Sequence, residues 1–150
     1  MAKKTTKRKS RAKKSVGGPF LVSAVLCEKI ITEKNNVATL IRIVDKFTLG
    51  PIGNIPQAFM EQAAFRVFAF ISFKSGDAKG KKNLRIKMRL ATGETSTETS
   101  VPLVFKGGSQ GPSAHVEMGV PAKEGLHWIE VYLDTKLVTK MPLKVVISKS

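Results

Sequence analysis

His115 and Glu117 stand two residues apart, the H-x-E spacing with which zinc deaminases combine a metal ligand and a general acid–base. That chemistry also needs a pair of cysteines further along, and the chain has one cysteine, Cys27. A single thiol likewise rules out an intramolecular disulfide and a thiolate metal cluster, and Cys27 reads as a small apolar residue buried in a strand. His115 and His127 both fall in stretches of strand character, where surface or interface packing accounts for them. No G-x-S-x-G nucleophile elbow occurs, so a Ser–His–Asp triad has no local support. Glu94 with Glu98, or Glu28 with Glu33, make an acid–base pair only by choice and read as surface charge. The glycine-containing stretches 76–83 and 106–112 do not match G-x-x-x-x-G-K-[ST] and precede no credible helix, so they are expected to be hairpin loops rather than phosphate cradles. The expectation is a protein that is not an enzyme and has no cofactor and no metal.

The cations carry more information. The chain has 150 residues and a formal net charge of +15, and more than half of that excess lies in MAKKTTKRKSRAKKS at its start. Lys3, Lys4, Lys7, Arg8, Lys9, Arg11, Lys13 and Lys14 stand there without one carboxylate. A like-charged block repels itself and contributes nothing to a core, and it is the usual electrostatic footprint of a polyanion-binding extension. Binding of nucleic acid would proceed by counterion release, blind to sequence and to DNA against RNA. A second cationic group comes from the alternation at 84–90. Leu84, Ile86, Met88 and Leu90 point one way while Arg85, Lys87 and Arg89 point the other. Were 65–74 the neighbouring strand, Arg66 and Lys74 would join that face beside Phe68 and Phe70, a pattern that suits single-stranded nucleic acid.

These side chains must be positioned by strands. Residues 20–32 and 37–49 are long and rich in β-branched types, and Glu33-Lys34-Asn35-Asn36 between them supplies the asparagines of a tight hairpin. Residues 50–57, GPIGNIPQ, hold two glycines and two prolines and exclude regular structure. A helical turn is expected at 58–64, a strand at 65–74, a polar loop at 75–83 and a strand at 84–90. Further strands are expected at 97–105, 114–120, 126–133 and 137–147, the last two joined by Asp134-Thr135-Lys136. About eight strands with frequent turns predict an all-β fold, an antiparallel two-sheet β-sandwich of Greek-key, immunoglobulin-like or jelly-roll-like kind. Pro102 and Pro142 lie inside strands and therefore belong at edges or bulges. Val16-Gly17-Gly18-Pro19 marks the boundary between a disordered basic arm, 1–18, and a sandwich domain, 19–150.

Two stretches, LCEKIITEKNNVATLIRIVDKFT and GLHWIEVYLDTKLVTKMPLKVV, carry a family resemblance. Cys27-Glu28, Ile43-Val44-Asp45, Gly125, Trp128, Glu130, Leu133-Asp134 and Pro142-Leu143 resemble the corresponding positions of a domain-of-unknown-function family of short bacterial β-sandwich proteins, over roughly residues 20–146. The resemblance implies a sandwich and no activity, and the basic arm is an addition to it.

The apolar run 20–26 after the arm is too short for a membrane span, and it lacks the small-residue cleavage site of a secretion signal. A cytoplasmic location, nucleoid-associated in a bacterium, is therefore expected. The leading functional expectation is a binding or adaptor module whose arm holds nucleic acid, while the sandwich meets a protein partner or itself. A shell or virion-type assembly protein with a nucleic-acid-neutralising arm is one alternative. A module on anionic membrane is another, though Ala2 excludes the myristoyl chain that would reinforce it.

Overall fold

The structure, a computed structural model, describes residues 14–50, 53 and 55–148. Nine strands and one short helix follow in the order β1 (Phe20–Thr32), β2 (Ala38–Ile43), β3 (Lys46–Leu49), α1 (Gln57–Gln62), β4 (Ala64–Lys74), β5 (Gly76–Arg89), β6 (Thr95–Gly108), β7 (Ser113–Pro121), β8 (Gly125–Leu133) and β9 (Lys136–Ile147). They form two sheets, β2-β1-β4-β7 and β3-β9-β8-β5-β6. All pairings are antiparallel except that of β3 with β9. The expected β-sandwich is thus the observed fold, with one parallel edge pairing added.

Period-two alternation builds the core. Val67, Ala69, Ile71 and Phe73 of β4 and Ala114, Val116, Met118 and Val120 of β7 face inward from the first sheet. From the second sheet come Leu84, Ile86 and Met88 of β5, Leu103 and Phe105 of β6, Ile129, Val131 and Leu133 of β8, and Met141, Leu143 and Val145 of β9. Phe73 and Phe105 meet edge to face across the interior, their ring centroids 5.8 Å apart. Cys27 is buried on β1, as its composition suggested, and burial pushes its thiol pKa up.

Three expectations need correction, all for reasons of pairing. The stretch 37–49 is two strands, because the chain changes sheets between adjacent residues. The Val44 amide still donates to Leu26 of β1 at 2.8 Å, while the Asp45 carbonyl already accepts from Lys144 of β9 at 2.9 Å. The polar stretch 75–83 is, from Gly76 onward, the first half of β5 rather than a loop, since Lys79 to Asn83 pair with Lys106 to Pro102 of β6. Partnership with a neighbouring strand overrides its weak strand propensity. Residues 106–112 likewise do not close a hairpin: β6 runs to Gly108, and the chain then crosses to β7 in the other sheet. Pro102 sits on β6, an edge strand, where its missing amide proton costs no ladder bond. Pro142 lies on β9 ahead of Lys144, where the pairing with β3 begins.

Candidate functional site

Arg85, Lys87 and Arg89 do project from the outer face of β5, half-buried, but not beside Phe68 and Phe70. Strand β4 belongs to the other sheet, so the expected basic–aromatic face does not exist. The chain leaves the first sheet at the buried Ser75 and enters the second at Gly76. On the far side of the sandwich Arg66 pairs with Glu117 at 2.8 Å, and Phe70 lies 5.3 Å from the His115 ring.

Register gives the β5 cations carboxylate partners. Lys87 stands opposite Glu98 of β6 on one side and Glu130 of β8 on the other, and Glu130 stands opposite Lys140 of β9. Arg85 and Lys87 reach Glu98 at 3.4 and 3.7 Å. Arg89 grips Glu130 with two hydrogen bonds, 3.1 Å from Nε and 3.3 Å from Nη2, and the Tyr132 hydroxyl donates to the same carboxylate at 2.9 Å. Arg85 also lies over the Tyr132 ring, 5.2 Å from its centre. Glu130 is only 4% exposed. The Arg89 hydrogen bonds hold its carboxyl below the usual carboxylate range, against the opposing effect of burial. The hydrogen bond to Glu130 raises the Tyr132 hydroxyl above its ordinary value.

Lysines that form no ion pair among the described residues gather elsewhere, where the arm meets the sandwich. Phe20, the first residue of β1, pairs with Lys74, the last of β4, while Lys79 of β5 stands opposite Lys106 of β6. Together with Lys14 they line an open cleft of about 1100 Å³. None of Lys14, Lys74, Lys79 and Lys106 forms an ion pair among the described residues. Like charges directly opposite across a ladder are destabilising, so nothing in the packing of the sheet favours this arrangement.

The cleft is fixed by an anchor at the arm's root. The Asp77 Oδ2 atom accepts from Ser15 Oγ, the Val16 amide and the Gly17 amide, each at 2.7 Å, and the Asp77 amide donates to the Gly17 carbonyl at 2.8 Å. Gly76 must be glycine here: its φ is +57° and an added Cβ would collide with the Gly17 carbonyl oxygen. Of the arm, Lys14 is thus placed beside Lys74, Lys79 and Lys106, whereas Lys3, Lys4, Lys7, Arg8, Lys9, Arg11 and Lys13 lie outside the described residues.

The cleft is built from the two stretches that sequence patterns dismissed as hairpin loops, 76–83 and 106–112. Their shared lysine and glycine content was the available signal, but what brings them together is their pairing. The histidines prove different from each other. His115 is exposed, whereas His127 is buried, accepting from the Ala91 amide at Nδ1 (3.0 Å) with Nε2 2.8 Å from the Lys123 carbonyl, so it pins two loops rather than facing a partner. Among the described residues no group of three or more His, Cys, Asp or Glu is placed to hold a metal ion, and no helix is long and apolar enough to cross a membrane. An apolar hollow of about 360 Å³ beside α1, lined by Leu49, Met60 and Phe65 among others, offers no charged group for chemistry.

No family model matches the chain, and no curated protein matches its sequence. Among solved structures it is similar to the CARDB domain of a Pyrococcus furiosus protein crystallised with di-metal ions, at 12% identity and a TM-score of 0.40, covering 91% of this chain and 100% of that one. It is also similar to a β-glucosidase from Listeria innocua at 13% identity and a TM-score of 0.39, over 90% of this chain but 17% of that enzyme.

Proposed function

We propose that this chain is a non-enzymatic β-sandwich binding module that holds nucleic acid through phosphate contacts, its basic arm doing most of the binding and the lysine cleft at the arm's root continuing the same charge onto the sandwich. The observation that carries this reading is the junction: eight arm cations lead into a cleft whose Lys74, Lys79 and Lys106 have no ion-pair partner among the described residues. Phosphates would supply the missing negative charge, and condensed counterions released from the nucleic acid would drive association. Arg85, Lys87 and Arg89 contribute less, because an approaching phosphate must compete with Glu98 and Glu130 for them.

The test is equilibrium binding of the full chain to duplex DNA across a salt series, beside a variant whose seven cations from Lys3 to Lys13 are glutamine. If about six arm cations meet phosphates, the logarithm of affinity falls with the logarithm of salt with a slope of about −5 for the unaltered chain and far less for the variant. Equal affinity and equal slope for both proteins would refute the role of the arm.

A further inference from the structure

The cleft contains an aromatic ring as well as cations. Phe20 is 45% exposed although it is the first residue of a core strand. Its ring edge rests on bare backbone: a Cβ on Gly18 would stand 3.1 Å from Cε2, and one on Gly76 only 2.8 Å from the same atom. Gly17 comes next, with a built Cβ 3.9 Å from Cζ. The glycine floor therefore sets the ring's position, and the Asp77 anchor holds that floor in place. Lys74 stands opposite Phe20 in the ladder. The Lys79 stem lies along Gly107, 3.1 Å from where a Cβ would be, which keeps its ammonium at the cleft's margin.

We infer that this cleft is a binding site for single-stranded nucleic acid, in which an unpaired base stacks on Phe20 while Lys14, Lys74, Lys79 and Lys106 take the flanking phosphates. The inference rests on the nucleic-acid reading of the arm and adds a preference to it. A cationic arm alone gives no preference for single strand, because the duplex has the higher charge density and releases more counterions per phosphate contact. An exposed ring in a lysine-lined cleft can stack with a base that has left its own stack, whereas duplex bases have their faces covered by one another. Stacking on an aromatic platform tolerates any base, so the preference is for strand state and not for sequence.

The experiment uses the full chain, with an oligothymidylate, a duplex of equal phosphate count and phosphatidylserine vesicles as probes. Phe20→Leu keeps an apolar contact with the glycine floor but removes the π face, and Phe20→Trp restores one. Phe20→Leu should weaken oligothymidylate binding about five-fold to a hundred-fold and leave duplex binding unchanged, with Phe20→Trp recovering the loss. Lys79→Gln with Lys106→Gln should weaken oligothymidylate binding and lower its salt slope without touching the core. Equal behaviour of Phe20→Leu and the unaltered chain on oligothymidylate, or equal losses on both nucleic acids, would overturn the inference while leaving the arm's role standing. Vesicle binding stronger than oligothymidylate binding would also overturn it, and failure of the unaltered chain to bind either nucleic acid would remove both readings together.

Discussion

On the outer face of the second sheet, Glu98, Lys87, Glu130 and Lys140 stand in one row across four strands, alternating in sign. At the corner where β4 passes into β5, Lys79 faces Lys106 and Lys74 lies nearby, and the carboxylate that shares this cleft, Asp77, accepts hydrogen bonds from the Val16 and Gly17 amides. The same residue types occupy both regions. In the first, the charges complete one another as a network around the buried Glu130. In the second, lysine faces lysine and no ion pair is formed among the described residues, an arrangement that an anion bound from outside would relieve. Positive residues on a strand face are therefore weak evidence of binding until their cross-strand partners are known.

The contrast is most severely tested at Glu130. Glu130→Ala leaves Arg89, Lys140 and the Tyr132 hydroxyl without their shared acceptor, and it should cost on the order of 1.5–3 kcal/mol in chemical denaturation, the range for hydrogen bonds to charged groups. The depressed Glu130 carboxyl adds a pH signature. Its contribution is complete above the ordinary glutamate value of about 4.3 and is lost as pH falls through the lower folded value, because the unfolded chain binds the proton first. Glu130→Gln should therefore flatten the acid limb of the stability profile, and an unchanged limb would remove Glu130 from the network.

A smaller effect is expected at the junction. Gly76→Ala places a side chain at φ +57° and against the Gly17 carbonyl, so it should cost about 1–2 kcal/mol and release the arm's root. Amide exchange at Val16 and Gly17 would report that release directly, as faster exchange than in the unaltered chain. The smallest effect has the opposite sign. Lys79→Gln removes a like-charge opposition and should stabilise the fold by about 0.2–1 kcal/mol at low salt, while Lys87→Gln destabilises it. Equal signs for these two substitutions would erase the distinction between the regions.

Much of the architecture was legible. The strand at 20–32 coincides with β1, and the alternation at 84–90 placed Leu84, Ile86 and Met88 in the core. The asparagine hairpin closes as expected, with Asn36 at φ 62° and its amide donating to Glu33 at 3.0 Å. Residues 75–83 were misread because a run of Gly, Lys, Asp and Asn has turn composition, and its strand conformation is imposed by β6. The sheet change at Val44-Asp45 was hidden for the converse reason: apolar character continues through it unbroken. The buried role of His127 could not be read either, since its two partners are Ala91, 36 residues away, and the nearer Lys123.

What the amino-acid sequence determined by itself was local: an all-strand body, the inward and outward sides of its strands, and a cationic arm with too few apolar groups to join a core. Tertiary structure alone decided which cations are answered by carboxylates and which are not. Side-chain direction repeats every two residues along one strand, whereas charge partnership is set by the register between strands far apart in the chain, and that register placed Glu130 beside Lys87 and lysine against lysine at 79 and 106.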